Sequence, residues 1–401
     1  MTPRQRILDT LAHRSPDRVP LDLGGTESSG LTGIAYHRLR DAMGLPPRAP
    51  KMFDVYQQVC LIDDDLRDAL EIDTVALHLL PREWKPGTLP DGSPCEIPAG
   101  WNPVLQDDGS QIVTDDGGHV TARMPAGGFY FEPSYAPLAN VTEPLGFDEF
   151  YTAIETFDWP GFADESIDEL VTRAKVLHAT GAAVVFNLQT HLLAGGQMLR
   201  GYEQFMMDLL AEPALAHGLL DRLTAAYISR ATVLLLRLAP FIDVVLVNDD
   251  LGTQAGPMMS PATYREMLLP YQRQLFKHIK RCCNAPLLMH SCGSVVAFLP
   301  DLIEAGIDAI NPVQVSAAGM DPRELKAAFG DKLTFWGGGC DTQHILAGGS
   351  PADVAAEVAR RIGAFAPGGG FIFTQVHNIQ PDVPAENMLA MFEAFAKLRT
   401  Y

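Results

Sequence analysis

"PLLMH" (Pro286–His290), "IDAIN" (Ile307–Asn311), "LTFWG" (Leu333–Gly337) and "FIFTQ" (Phe371–Gln375) are four short runs, apolar nearly throughout and regularly spaced along the last third of the chain. Continuous apolarity marks strands covered on both faces, which is what a parallel sheet wrapped by helices requires. Four more such runs lie upstream: "VPLDL" from Val19, "IDTVALHL" from Ile72, "AAVVFNL" from Ala182 and "IDVVLVN" from Ile242. Amphipathic segments separate them. One runs from Ser260 to Cys282, with Ser260 as N-cap and Pro261 at the first helical position; another runs from Ser350 to Phe365, again opening Ser-Pro. Eight alternations of strand and helix predict an α/β fold, a (β/α)8 TIM barrel, with an open doubly wound sheet as the alternative.

Residues 82–140 break the alternation. They are rich in Gly, Pro and Asp and contain "QIVTDDGGHVTARM", two alternating runs around a turn, which predicts a β-hairpin. This stretch is expected as an insertion after the second strand, capping one end of a single barrel that occupies residues 1–401, without a core of its own. The interval from Gln189 to Pro240 is expected to hold at least two helices.

Composition narrows the function. The chain has 401 residues, 47% of them hydrophobic, enough to bury a large core, and a formal charge of −19 that argues against nucleic acid or an anionic membrane as partner. Its longest greasy stretch, "TVLLLRLAPFIDVVLV", is interrupted by Arg237, Pro240 and Asp243, short of the roughly 20 apolar residues of a bilayer span. The amino terminus carries no export signal pattern, so a cytoplasmic location is expected. Six cysteines in so long a chain are no disulfide framework; a special one among them would be a ligand or a nucleophile.

Barrel chemistry is carried at the carboxyl ends of strands. Unusual polar residues gather there: Asn248, Asp249 and Asp250 after the fourth run, His290 and Cys292 after the fifth, Cys340 after the seventh, His377 and Asn378 after the eighth, Gln189 and His191 after the third. His290 and Cys292 are two apart at one strand end and so face the same side. Alternate barrel strands share layers, so the fifth and seventh can present His290, Cys292 and Cys340 to one point, with Gly337 to Gly339 letting the backbone turn inward. Three such ligands suit a catalytic Zn²⁺ with an open fourth position. The same residues also read as a satisfied buried imidazole and two small core thiols, and spacing does not separate these readings.

The runs "LLMHSCGSV", "LIEAGIDAINPVQ", "FWGGGCDTQ" and "GGGFIFTQVHNIQPDVPAEN", with the earlier "HRSPDRVPLDLGG" and "MLRGYEQFMMDLLAEPALAHGLLDRL", resemble the uroporphyrinogen decarboxylase superfamily, within it the zinc-dependent, corrinoid-linked methyltransferase branch. The resemblance implies zinc held by His290, Cys292 and Cys340. It implies methyl transfer between a small methylated or methoxylated substrate and methylcobalamin or another corrinoid; the corrinoid is expected on a partner protein, because no D-x-H-x-x-G run is present here. True decarboxylases of the superfamily need no such thiols and use arginines near the amino terminus, where this chain reads "DLGGTESSGL".

On this basis Asp250, His377 and Asn378 are expected to act in catalysis, and Gln189, His191 and Asp249 to bind substrate. Asp250 or Asp249 could also occupy the fourth metal position, and either aspartate reads alternatively as a helix cap. The rival functions are a metal-free decarboxylase and a non-catalytic barrel that binds a corrinoid or metabolite. A homodimer is implied by the resemblance alone.

Overall fold

The computed structural model describes residues 1–115, 117–150, 154 and 163–400. Seven parallel strands stand side by side in chain order: Thr74–Leu77, Ala183–Asn187, Val244–Asn248, Leu287–His290, Ala309–Asn311, Thr334–Trp336 and Phe371–Ile372. Each falls inside one of the apolar runs. The remaining run, the first in the chain, at residues 19–23, closes the ring: Leu21 bridges Phe373 in parallel, Phe373 N donates to Pro20 O, and Asp73 N donates to Leu21 O. Pro20 has no N–H to give, which keeps this position down to a single bridge. The Asp22 side chain compensates, accepting from Thr74 Oγ1 at 2.6 Å and Trp336 Nε1 at 2.7 Å and so tying the first barrel position to the second and seventh. The expected barrel is thus present.

Alternation within strands builds two apolar layers. Ala183, Val185, Val244, Leu246, Leu288, Ala309, Trp336 and Ile372 point into the barrel, while Val184, Phe186, Val245, Leu287, Met289 and Phe335 pack outward beneath the helices. Ile7 and Leu11 of the helix Pro3–Leu11 join the interior cluster. Arg6 pairs with Asp73 and Arg4 with Asp243 at 3.0 Å, each aspartate standing just before its strand, so this helix stoppers the amino-terminal end of the barrel. Burying one such aliphatic side chain contributes about 1.5–3 kcal/mol.

The segment 82–140 contains the expected hairpin, Gln111–Thr114 against Val120–Met124, within a four-stranded antiparallel sheet, preceded by the two-stranded Trp84–Thr88 and Pro94–Pro98. Asp116, which falls between these two runs in the sequence, lies outside the described residues. The segment carries a small apolar cluster, Trp101, Val113, Ala122, Met124 and Phe131, which it shares with Val55 outside it. A three-stranded sheet of Leu31–Thr32, Val59–Cys60 and Met52–Asp54 was too short-runned to be foreseen.

The helix expected over Ser260–Cys282 is two helices, Pro261–Met267 and Leu269–Cys282. Pro270 removes a donor and crowds the preceding turn, which breaks the helix at Leu268. The Gln189–Pro240 interval holds three helices, Leu192–Arg200, Tyr202–Ala211 and Pro213–Leu238. Among the described residues no helix is long and apolar enough to cross a membrane.

Candidate metal centre and active-site cavity

Strand register sets the site. Asn248, His290 and Asn311 pair across three adjacent strands at their carboxyl ends. Beyond them, the loop after His290 is zipped to the loop after Asn248: Leu251 N donates to Ser291 Oγ at 2.9 Å and Ser294 N to Thr253 O at 2.8 Å. Gly293 makes this possible. Its φ is +81°, and a Cβ there would lie 2.3 Å from the carbonyl carbon of Gly252, so only glycine lets the two backbones meet.

Zipping delivers Asp250 to the histidine. Asp250 Oδ1 accepts from Cys292 N at 2.9 Å and lies 3.6 Å from His290 Nε2, and Cys292 Sγ lies 3.5 Å from the same nitrogen. One donor atom from each of the three lies within 4.8 Å of the others. The other ring nitrogen, Nδ1, lies 3.1 Å from Asn311 Oδ1. Asn311 Nδ2 donates to Trp336 O at 3.1 Å, which fixes the amide so that its oxygen faces the imidazole; Ser28 Oγ also donates to that oxygen, at 2.5 Å. Asn311 Oδ1 can only accept, so Nδ1 is the donor in that contact, and Nε2 is the nitrogen turned toward Asp250 and Cys292. Burial, then the Asp250 charge, push the Cys292 thiol well up. A divalent cation reverses that preference.

Cys340 does not join them. It is fully buried and packed in the outer core, its Sγ 4.0 Å from Asp341 O, under the charges of Glu357, Asp341, Arg361 and Arg360, with burial pushing its thiol up. The glycine turn exists, with φ of +108° at Gly337 and +78° at Gly338, yet the thiol beyond it feels Glu357, Arg360 and Arg361 of the helix Pro351–Phe365 and is not among the clustered donors. Asp250 completes the cluster in its place.

His290 and Asp250 line a cavity of about 480 Å³ at the barrel mouth, together with His191, His377, Asn187, Glu27 and aromatic residues of the 130 region. Cys292 lines an adjoining groove of about 730 Å³, and Tyr130 and His377 border both. The cluster is thus a wall between two openings. Burial lowers His191 to about 3 and His377 to about 4, so both rings are neutral at pH 7.

The remaining expected residues divide. Asp249 borders the cavity, yet its carboxylate accepts from Leu193 N at 2.8 Å, Ala194 N at 3.0 Å and Gln272 Nε2 at 3.3 Å, capping the helix Leu192–Arg200; burial raises it to about 7. Asn378 accepts from Tyr130 OH at 3.4 Å and donates to Gln57 Oε1 at 2.8 Å, holding two loops over the mouth. Gln189 is buried behind the cavity in a left-handed backbone conformation with φ +52°, its N donating to Asn187 Oδ1.

Sequence reasoning passed over Glu27, Asn187 and Asn311. Asn187 Nδ2 donates to Glu27 Oε1, and Asn248 Nδ2 donates to Asn187 Oδ1 at 2.8 Å. Each asparagine is a polar residue that closes an apolar strand, the same signal that picked out His290.

The family model described as uroporphyrinogen decarboxylase (URO-D) matches residues 167–398. The chain belongs to that family. Curated relatives include the uroporphyrinogen decarboxylase of Psychromonas ingrahamii, 26% identical over 216 residues, which cover 53% of this chain and 56% of the relative. That of Pseudomonas aeruginosa strain LESB58 is 26% identical over 279 residues, covering 68% of this chain and 74% of the relative. The match to the first of these spans little more than half of that relative's length. Among solved structures, a methyltransferase from Methanosarcina mazei aligns over 99% of both chains with a TM-score of 0.59 at 17% identity, which shows a shared fold.

Proposed function

We propose that this member of the family is a zinc-dependent methyltransferase, acting between a small methylated substrate in the 480 Å³ cavity and a corrinoid carried by a separate protein. The convergence of Asp250, His290 and Cys292 carries the reading. Zinc bond lengths at a tetrahedral angle set donor atoms roughly 3.3–3.6 Å apart. The sulfur and the carboxylate oxygen lie 3.5 and 3.6 Å from His290 Nε2, and the mixed N, S, O set suits this ion. Those three residues would hold the metal. When bound, it supplies Lewis acidity toward the heteroatom that bears the methyl group.

The chain's own residues do the rest. Asn311, itself bonded by Ser28, orients the imidazole with Nε2 outward; the Gly252–Gly293 contact keeps Asp250 and Cys292 in register. Neutral His377 borders both openings and can donate a hydrogen bond to a departing oxygen without adding charge. Openings on two sides of one cluster suit transfer between two molecules that approach separately. Decarboxylation of a polycarboxylate fits less well, since among the described residues no lysine or arginine lines the cavity.

Elemental analysis of the purified protein tests the metal, with one zinc per chain expected. Mixing with reduced corrinoid carrier and methylated donors, followed by the cobalt absorption bands, tests the transfer. Absence of zinc, with carbon dioxide released from a porphyrinogen, would establish the decarboxylase instead.

A further inference from the structure

The cavity is acidic and aromatic. Glu27 and Glu132 border it with Tyr56, Tyr130 and Phe131, away from the proposed metal ligands, and among the described residues no lysine or arginine lines it. Glu27 is the telling member. Its carboxylate accepts from the Asn187 amide and lies 3.5 Å from His78 Nδ1. His78 does not neutralise it: the ring is 1% exposed, stacked on Phe53 at 4.0 Å between centroids, and hydrogen-bonded through neither nitrogen. Among the described residues no lysine or arginine pairs with Glu27. A carboxylate removed from water without a counter-charge is poorly stabilised. Aromatic side chains lining the same cavity attract cations, whereas an anionic group seated against Glu27 meets like charge.

We propose that the substrate carries an ammonium group, seated against Glu27 on the side of the cavity formed by the second and third barrel strands, with its methylated heteroatom toward His290 on the fifth. This rests on the preceding reading of the cavity as the substrate site and narrows it to amine-bearing methyl ethers or thioethers. Burial raises Glu27 to about 7, and a bound cation favours its ionised form.

Three matched probes decide it on the whole chain: methoxyethylammonium, its neutral isostere methoxypropane, and methoxyacetate. Binding is read by calorimetry or ligand-observed NMR at about pH 8, where an alkylammonium stays protonated. The cation is expected to bind at least about tenfold more tightly than the ether, the anion more weakly still, and Glu27→Gln to remove the cation's advantage. Equal binding of cation and ether, preference for the anion, or a preference retained in full by Glu27→Gln overturns the proposal. The wild-type comparison stands without the variant. Cation binding with no methyl transfer to any corrinoid would sink the methyltransferase reading and leave this one; transfer from neutral donors only would do the reverse.

Discussion

His290 Nδ1 lies 3.1 Å from Asn311 Oδ1, and the amide of Asn311 is itself anchored to Trp336 O on the next strand. The orientation of the candidate metal ligand is therefore decided two strands away from the ion it would hold. Outer partners of this kind tune affinity by about 10- to 100-fold. Asn311→Ala should weaken zinc binding by that order in a chelator competition, with the far-ultraviolet circular dichroism unchanged.

Removal of donors should separate the cysteines. His290→Ala and Cys292→Ala are expected to abolish stoichiometric zinc, and Asp250→Ala to lower its affinity, whereas Cys340→Ala should retain the metal. Cys340 is fully buried in the outer core, so its truncation should instead cost stability, about 1 kcal/mol, seen in denaturant unfolding. Zinc lost from Cys340→Ala alone would show that the thiol swings inward when the ion binds.

Gly293→Ala tests the zip between the two loops. With φ at +81° and the Gly252 carbonyl carbon 2.3 Å from the new Cβ, the backbones must part. The expected loss exceeds about 1 kcal/mol of stability, and zinc affinity should fall with it, because Asp250 and Cys292 separate.

Two buried carboxyls give stability a pH signature. Burial raises Asp54 to about 6 and Glu27 to about 7, above the ordinary values they regain on unfolding. The folded chain thus holds protons that the unfolded chain releases. Their contribution is present at about pH 4 and is lost as pH rises through 6 and 7. Melting temperature measured across this range should fall less steeply in Asp54→Asn and Glu27→Gln than in the wild type.

The barrel was legible because strands buried on both faces leave unbroken apolar runs, and even the Leu21 position was marked by "VPLDL". His290 and Cys292 were legible because a polar pair closes such a run. Cys340 was not separable in sequence from a ligand, because a run of three glycines before it permits either direction, and the clustered donors are Asp250, His290 and Cys292. Glu27 escaped notice because its meaning depends on Asn187, 160 positions later, and on a histidine that fails to neutralise it. The break at Leu268 was written in Pro270 but outweighed by the amphipathic pattern around it.

Ile7 and Leu11 make the lower end of the barrel a dead end. Traffic is then confined to the opposite end, where the cavity and the groove both open beside Tyr130. A macromolecule broad enough to cover both openings would shut in a small molecule that came before it and shut out one that came late.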